Sequence, residues 1–166
     1  MTPSFVLRKL RQDDSHFIIR LLNDPLWLQY IGNRGVYREQ DAQAYIQQNL
    51  EHFDKYGYGL WVVELALTGP VGLCGLLNRN VFCCPDLGFA FLPEGRGKGL
   101  AFESVRHTIE RAKNEYGFSF LTAVIDPDNY RSVSLLEKQG FTYYGRYFFP
   151  KKRHPVKLFW LDLRST

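Results

Sequence analysis

Three glycines and two cationic residues alternate in the turn GRGKG, residues 95–99. A strand-like apolar run precedes this turn and a helical pattern follows it. The first N–H groups of a helix have no intrahelical partners and lie at the positive end of the helix dipole. Glycines let a phosphate approach those groups without meeting a Cβ, and Arg96 and Lys98 add positive charge. The turn therefore predicts an anion site, with a plain glycine-capped turn as the alternative.

The glycine spacing excludes the two commonest nucleotide-binding motifs. A P-loop has the form GxxxxGK followed by Ser or Thr, whereas here Gly99 is followed by Leu100. The dinucleotide fingerprint GxGxxG lies near the start of a βαβ unit, whereas this turn has a different glycine interval and follows five predicted elements. Neither motif accounts for the turn.

Two ordered segments resemble the signatures of a known enzyme family. The stretch Arg96-Gly97-Lys98-Gly99-Leu100-Ala101 resembles the acyl-coenzyme A signature of GNAT-superfamily N-acetyltransferases, Arg/Gln-x-x-Gly-x-Gly/Ala. The segment DNYRSVSLLEKQGF at 128–141 is similar to a second family stretch, and it follows at the expected distance. The segments LRKLRQDD and GLCGLLNR are similar to the RimJ/RimL-like branch, which acetylates ribosomal proteins. The resemblance covers almost the whole chain and implies an N-acetyltransferase that uses acetyl-CoA as co-substrate, without a metal.

The resemblance also implies where acetyl-CoA binds. Its diphosphate would contact the main-chain amides of residues 96–101, and its pantetheine arm would pair with the preceding strand. That strand would separate from its neighbour at 118–125, and Gly88 is compatible with a β-bulge there. Asn129 would bond the pantetheine or cap the helix that follows the turn DPDN, and these two roles are compatible. The implied cofactor-binding residues are Phe89, Ala90, Phe91, Arg96, Gly97, Lys98, Gly99, Leu100, Ala101 and Asn129.

The catalytic group is less clearly indicated. Many relatives have Tyr or Ser seven residues after the asparagine, where this chain has Leu136, and some have Glu five residues before it, where this chain has Val124. A thiol with a pKa of ~8.5 leaves without a strong acid, so water or a nearby Tyr suffices. Asp86 falls where the RimJ/RimL-like branch often has an acidic residue, which makes it the candidate general base, acting through water. The alternative is a solvated aspartate at a strand end.

Other nucleophilic side chains are predicted to be structural. Ser132 matches a family position where Ser or Ala is usual, which indicates helix packing. Cys83 and Cys84 lack a CxxC spacing and a His placed to activate them, so they are expected to be buried or incidental thiols. Three cysteines in total indicate a reducing compartment and neither a disulfide framework nor a zinc site.

The acceptor amine is expected to bind between the first two helical segments and the last hairpin, as in the family. The candidate residues in the helical segments are Trp27, Tyr30 and Arg34. The basic run KKRH at 151–154 is expected to be a solvated hairpin tip, with contact to an acidic or RNA-bound acceptor as the alternative. A protein N-terminus and a small amine both remain open as acceptors, as do a monomer and a homodimer.

Composition limits the class of protein. The chain has 166 residues, 45% hydrophobic and 23% charged, which predicts one globular domain over 1–166. Its net charge of +4 and pI near 9.0 suit an anionic ligand, but no dense basic stripe makes nucleic acid an expected partner. No stretch approaches the ~20 apolar residues of a membrane span, and the first residues lack the apolar run of a signal peptide. A cytoplasmic protein that does not contact a membrane is expected.

Two other functions stay open. One is a coenzyme A-binding sensor or interaction module with weak catalysis, because Leu136 and Val124 occupy positions that are catalytic in relatives. The other is a basic nucleic-acid-binding domain, supported only by the net charge and residues 151–154.

Apolar periodicity predicts the elements that position these residues, in the order β-α-α-β-β-β-α-β-α-β-β. This order indicates an α+β or mixed α/β domain. The resemblance implies a central, mostly antiparallel, twisted sheet of six to seven strands with a splayed central parallel pair, flanked by about four helices. The predicted strands span 4–10, 59–67, 70–77, 86–92, 118–125, 141–149 and 156–163. The predicted helices span 13–24, 38–57, 101–116 and 130–139, with a short helical piece at 25–31.

Overall fold

A seven-stranded sheet forms the centre of the computed structural model, which describes residues 1–164. Its strands are β1 (Phe5–Arg8), β2 (Leu60–Leu65), β3 (Gly69–Leu77), β4 (Asp86–Phe91), β5 (Phe120–Ile125), β6 (Thr142–Tyr147) and β7 (Val156–Asp162). The helices are α1 (Ser15–Leu22), α2 (Pro25–Tyr30), α3 (Glu39–Tyr56), α4 (Leu100–Asn114) and α5 (Tyr130–Lys138). Short 3₁₀ turns lie at Gln12–Asp14 and Pro93–Gly95. Among these residues, no helix is both long and apolar enough to cross a membrane.

The strand order is β1-β2-β3-β4-β5-β7-β6, and every neighbouring pair is antiparallel except β4 and β5. This topology confirms the predicted mixed α/β fold with one central parallel pair. The described part of the chain has five helices, because the short helical piece predicted at 25–31 is a helix of its own, Pro25–Tyr30, beside the four longer ones. Pro25 occupies its first turn and the Asp24 carboxylate accepts the Leu26 N–H at 3.1 Å, which are both helix-starting features.

The sheet buries an apolar cluster on each face. One cluster packs β-strand residues against α4 and α5 and includes Leu100, Val105 and Leu136. The other packs the opposite face against α1, α2 and α3 and includes Ile18, Trp27 and Ile46. Successive side chains of a strand point to opposite faces, so residues of β2 enter the two clusters in turn. The helices that carry the glycine turn and the predicted acceptor side therefore lie on opposite faces of one sheet.

The parallel strands β4 and β5 separate almost as soon as they meet. Their pairing is confined to Asp86 opposite Thr122. Strand β4 nevertheless stays in register with β3 through to Phe91, with no shift beside Gly88. The β-bulge with which Gly88 was compatible is therefore absent, and a regular β4 borders a gap on the side that faces β5.

Two facing glycines on β3 and β4 offer a test of how tightly this sheet packs. Gly75 and Gly88 are cross-strand partners. A Cβ on Gly75 would overlap the Gly59 carbonyl oxygen and lie 2.8 Å from the Leu60 Cα, whereas a Cβ on Gly88 would meet no atom within 4 Å. Because main chain cannot move aside as a side chain does, Gly75→Ala should lower the free energy of unfolding by about 2 kcal/mol or more.

The matched control is Gly88→Ala, which should change the free energy of unfolding by less than about 1 kcal/mol. Urea denaturation followed by far-ultraviolet circular dichroism measures both variants. Equal destabilisation by the two substitutions would contradict the close approach of β2 and β3 at Gly75.

Candidate active site

Two adjoining cavities occupy the gap beside β4. The larger has a volume of about 300 Å³ and extends to the glycine turn, whereas the smaller, of about 140 Å³, extends towards the end of β3. Seven residues line both cavities, namely Trp27, Tyr30, Ile31, Phe89, Ala90, Asn129 and Ser132. The two cavities therefore form one groove along β4, in which two ligands can meet.

The structure brings most of the sequence-predicted residues to this groove. The predicted cofactor-binding residues that line the larger cavity are Phe89, Ala90, Phe91, Arg96, Gly97, Gly99, Leu100, Ala101 and Asn129. Lys98 is exposed and lines neither cavity. Of the predicted acceptor residues, Trp27 and Tyr30 line both cavities and Arg34 lines the smaller one.

The glycine turn presents a row of unused main-chain donors. Gly97 and Gly99 have φ of 73° and 75°, in the left-handed region that favours glycine, and α4 starts directly after them. Within residues 1–164, the N–H groups of residues 97–102 donate to no protein acceptor, and the Glu103 N–H makes the first helical bond, at 3.0 Å to Gly99. The Arg96 N–H donates to the Pro93 carbonyl at 3.1 Å. The available donors are therefore 97–102, one position later than expected.

The Arg96 side chain holds the fold together instead of offering a free charge. Its guanidinium forms an ion pair with the Asp24 carboxylate, which is 5% exposed and also caps α2. Arg20 of α1 pairs with Glu94 of the same turn at 2.7 Å. These two contacts fasten α1 and α2 to the turn. The expectation that Arg96 contributes free positive charge to the anion site is wrong, since Asp24 neutralises it.

Arg131 is a cationic residue that sequence reasoning missed. It lines the larger cavity from the first turn of α5 and, within the described residues, has no carboxylate partner. Its side chain is exposed and thus available to an anionic ligand. The sequence feature that could have identified Arg131 is its position two residues after Asn129, in the segment that resembles a cofactor-binding stretch.

Strand β4 turns two of its residues towards the gap. The Leu92 N–H donates to the Val71 carbonyl of β3 at 2.8 Å. Because hydrogen-bonding direction alternates along a strand, the main chain of Ala90 also faces β3, whereas that of Phe89 and Phe91 faces the gap. The pantetheine-pairing groups predicted at 89–91 are thus limited to Phe89 and Phe91, and Ala90 lines the groove without a free main-chain edge.

Asn129 and Ser132 lie together at the junction of the two cavities. The Asn129 side-chain oxygen accepts the Ser132 N–H at 3.4 Å and caps α5, as one of the two predicted roles requires. The role of Asn129 in cofactor binding stays a prediction. Ser132 was expected to pack within the fold, but it is half-buried and lines both cavities. It is a hydroxyl at the place where two bound ligands would meet.

Two positions that often carry catalytic groups in relatives have no such role here. Leu136 is fully buried in an apolar cluster, and Val124 lines the smaller cavity with a side chain that has no proton to give. Tyr45 of α3 also lines the smaller cavity, and burial raises the pKa of its phenol, so it stays protonated.

Asp86 is buried and not solvated. It is 1% exposed, and its carboxylate accepts from Arg79 Nε at 2.7 Å and from the Thr122 hydroxyl at 3.1 Å. Burial raises its pKa to about 6. The alternative of a solvated strand-end aspartate is therefore wrong. Asp86 lines neither cavity, but its partner Arg79 lines the smaller one. The Asp86 carboxylate therefore holds the Arg79 guanidinium in position without lining the cavity itself.

The thiols lie apart from the groove. Cys83 and Cys84 line a third cavity of about 260 Å³ that shares no lining residue with the other two. Burial raises the pKa of Cys74 and that of Cys84 to about 12, so both stay protonated and are poor nucleophiles. Among residues 1–164, no three His, Cys, Asp or Glu side chains are grouped as metal ligands would be.

Comparison with known proteins relates this chain to a family. The family model of the acetyltransferase (GNAT) domain matches residues 4–142. The protein YkkB of Bacillus subtilis (strain 168) is 29% identical over 147 residues, which cover 86% of this chain and 84% of YkkB.

Two solved structures share the fold. The ribosomal-protein-S5-alanine acetyltransferase from Vibrio fischeri has a TM-score of 0.81 at 17% identity, covering 99% of this chain and 98% of that one. The spermidine N-acetyltransferase from Vibrio cholerae, in complex with CoA and spermine, has a TM-score of 0.78 at 20% identity, covering 95% of each chain. Because these neighbours are named for different acceptors, they do not single out the RimJ/RimL-like branch.

The burial of Asp86 predicts an unusual pH dependence of stability. Its pKa rises from 3.8 to about 6 on folding, so its contribution to the free energy of unfolding is fully present below pH 3.8 and is lost as pH rises through about 6. Asp86→Asn keeps a neutral polar side chain. Relative to the wild type, the variant should therefore gain about 2 kcal/mol of unfolding free energy between about pH 4 and pH 8.

Urea denaturation of both proteins across this pH range measures the difference. Asp162→Asn is the control of opposite sign, because hydrogen bonds from Arg164 lower the pKa of Asp162. That variant should lose relative stability as pH rises from the acid side. If the free energies of unfolding of the wild type and Asp86→Asn differ by the same amount at every pH, the shifted pKa of Asp86 is contradicted.

Proposed function

The chain belongs to the GNAT acetyltransferase family, and we propose that it transfers the acetyl group of acetyl-CoA directly to a primary amine while both substrates are bound. The observation that carries this proposal is the single groove along β4, which joins a turn of free main-chain donors to a second cavity. One ligand enters from each end, and their reacting groups meet near Asn129 and Ser132. No covalent intermediate on the enzyme is needed, in keeping with the protonated thiols of Cys74 and Cys84.

The hydrogen-bond donors of the larger cavity match the chemical groups of acetyl-CoA. The unpartnered N–H groups of residues 97–102 suit the diphosphate, because they concentrate positive dipole at the start of α4. The free main-chain edge at Phe89 and Phe91 suits the amide groups of the pantetheine arm, which can pair with β4 as an added strand would. Arg131 adds a charge for a phosphate at the mouth of the cavity.

Transfer then requires little chemistry from side chains. The lone pair of a neutral amine attacks the thioester carbonyl carbon, the C–N bond forms and the C–S bond breaks. A main-chain N–H that faces the gap, from Phe89 or Phe91, is available to polarise the carbonyl oxygen. The amine proton leaves through water, and the departing thiolate of CoA takes a proton. Orientation of the two substrates in one groove supplies much of the rate acceleration.

Ser132 is the hydroxyl best situated to relay a proton from water to the departing thiolate, because it lines both cavities. Asp86 remains only an indirect candidate for the base, since it reaches the groove through Arg79 and not by its own contact. A CoA-binding module with weak catalysis is the competing function, and Leu136 and Val124 are its support.

Calorimetric titration with acetyl-CoA, followed by assay of released CoA thiol with a panel of amines, tests the proposed function. We expect a 1:1 complex and acetyl transfer to at least one class of primary amine. Binding without transfer to any amine would favour the module over the enzyme. Absence of binding would overturn both.

The free charge of Arg131 predicts a loss of acetyl-CoA affinity in Arg131→Gln. Removing one charge-assisted contact to a phosphate should raise the Kd about tenfold. Lys98→Gln is the matched control, because Lys98 lies outside both cavities and its loss should change the Kd less than about twofold. A larger effect of Lys98→Gln than of Arg131→Gln in calorimetry would contradict this assignment.

The position of Ser132 predicts a catalytic effect separate from binding. Ser132→Ala should lower kcat by about 10-fold or more, because general acid assistance is lost, with the Kd of acetyl-CoA nearly unchanged. Ser134→Ala, an exposed serine on the same helix, is the control and should leave kcat unaltered. If Ser132→Ala keeps full kcat, water alone protonates the thiolate.

A further inference from the structure

The smaller cavity carries an excess of positive charge. Two guanidinium groups line it, from Arg34 and Arg79, and Asp126 is the one acidic residue among its described lining. The remaining lining side chains are apolar or uncharged. A cavity of about 140 Å³ with this balance is unfavourable for a polycation and favourable for a small ligand that carries negative charge.

Arg34 is free to bind such a ligand. It lies on the connection between α2 and α3, its side chain is exposed, and it has no carboxylate partner within the described residues. Arg34 lines the cavity together with Tyr45, and its positive charge opposes the burial that raises the pKa of the Tyr45 phenol.

Arg79 is held in place but keeps part of its binding capacity. Its Nε donates to buried Asp86 at 2.7 Å, and its guanidinium lies over the Phe149 ring at 5.5 Å. Within the described chain, its two terminal nitrogens have no hydrogen-bond partner. A fixed guanidinium with two free terminal groups is suited to bind a carboxylate or phosphonate in bidentate fashion.

Lys152 lies outside the cavity lining but is a third cation near Arg34 and Arg79. The Lys152 N–H donates to the Phe149 carbonyl at 3.0 Å, and an aromatic cluster of Phe82, Tyr147 and Phe149 holds this hairpin connection against the loop between β3 and β4. Desolvation, with the nearby charges of Arg34 and Arg79, lowers the pKa of Lys152. The three cations are thus close enough to act on one another, and a bound anion would relieve their repulsion.

Asp126 supplies the opposite charge on the side of β5. One of its oxygens accepts the Asp128 N–H at 2.9 Å, and the residue is half-buried at the cavity wall. A ligand with its ammonium group beside Asp126 and its anionic group beside Arg34 and Arg79 places each charge next to one of opposite sign.

We propose that the acceptor is a small molecule that carries a carboxylate or phosphonate as well as its primary amine, with the anion bound by Arg34 and Arg79. This inference rests on the proposed acetyl transfer, because it assigns the substrate class of the same site. It excludes polyamines as preferred acceptors, although a solved neighbour is named a spermidine N-acetyltransferase.

The test uses pairs of acceptors that differ by one charge. Acetyl transfer is measured for a set of amino acids and for the matching amino acid amides, with an aminoalkylphosphonate, spermidine and a peptide with an acidic N-terminus as further arms. The ratio of kcat/KM for acid over amide is the readout, since it cancels differences in side chain. We expect a ratio above about tenfold for the preferred pairs and activity with spermidine far below theirs.

The variants separate charge recognition from general damage. Arg34→Gln should bring the acid-to-amide ratio down about tenfold while the Kd of acetyl-CoA stays constant. Arg146→Gln, an exposed arginine of β6 that lines neither cavity, is the control and should keep the wild-type ratio.

Several results would overturn the inference. They are equal use of acids and amides, a preference for spermidine, a preference for the peptide, or an acid-to-amide ratio that survives Arg34→Gln. If no amine is acetylated, the transferase proposal fails, and calorimetric binding of the same pairs to the CoA-loaded protein decides the charge preference instead. Tighter binding of acids that is lost in Arg34→Gln supports it, and equal binding of acids and amides overturns it.

Discussion

The separation of β4 from β5 is the constraint on which the site depends. Main-chain N–H and C=O groups are rarely left without partners inside a protein, yet these two strands pair only at Asp86 and Thr122. Strand β4 stays regular because β3 holds it on its other side, so the groups of Phe89 and Phe91 that face β5 remain open. A gap of this kind favours a ligand with amide groups of its own, and it leads from the glycine turn directly to the smaller cavity.

Different groups supply the positive potential at the two ends of the groove. At the turn, helix dipole and main-chain N–H groups offer positive potential, while the Arg96 guanidinium is used to fasten α2 through Asp24. At the other end, side chains dominate, and buried Asp86 orients Arg79 without lining the cavity itself. This division suits two substrates that are recognised in different ways. One is a ligand with an amide-containing arm and phosphates, and the other is a ligand with a single charged group.

Much of the fold and of the lining of the larger cavity was predictable from local pattern. The periodicity of apolar residues predicted the order of strands and helices along the chain. The glycine turn and the segment at 128–141 predicted which strand and helices border the larger cavity. Positions with left-handed backbone at Gly97 and Gly99 are encoded locally, because few other residues adopt that conformation. The bulge expected at Gly88 failed because strand register is set by partners distant in sequence.

The sequence by itself determined the class of fold, the place of the glycine turn and the resemblance to acyl-CoA-binding enzymes, since each depends on residues that are neighbours in the chain. Only the tertiary structure decided that Arg96 is neutralised by Asp24, 72 residues away, and that Asp86 is buried beside Arg79 and Thr122. It also brought Ser132 to the junction of the cavities and Arg34 and Arg79 to one end of the groove. The reason is physical: ion pairing and burial depend on distances across the fold, which the spacing of residues along the chain does not contain.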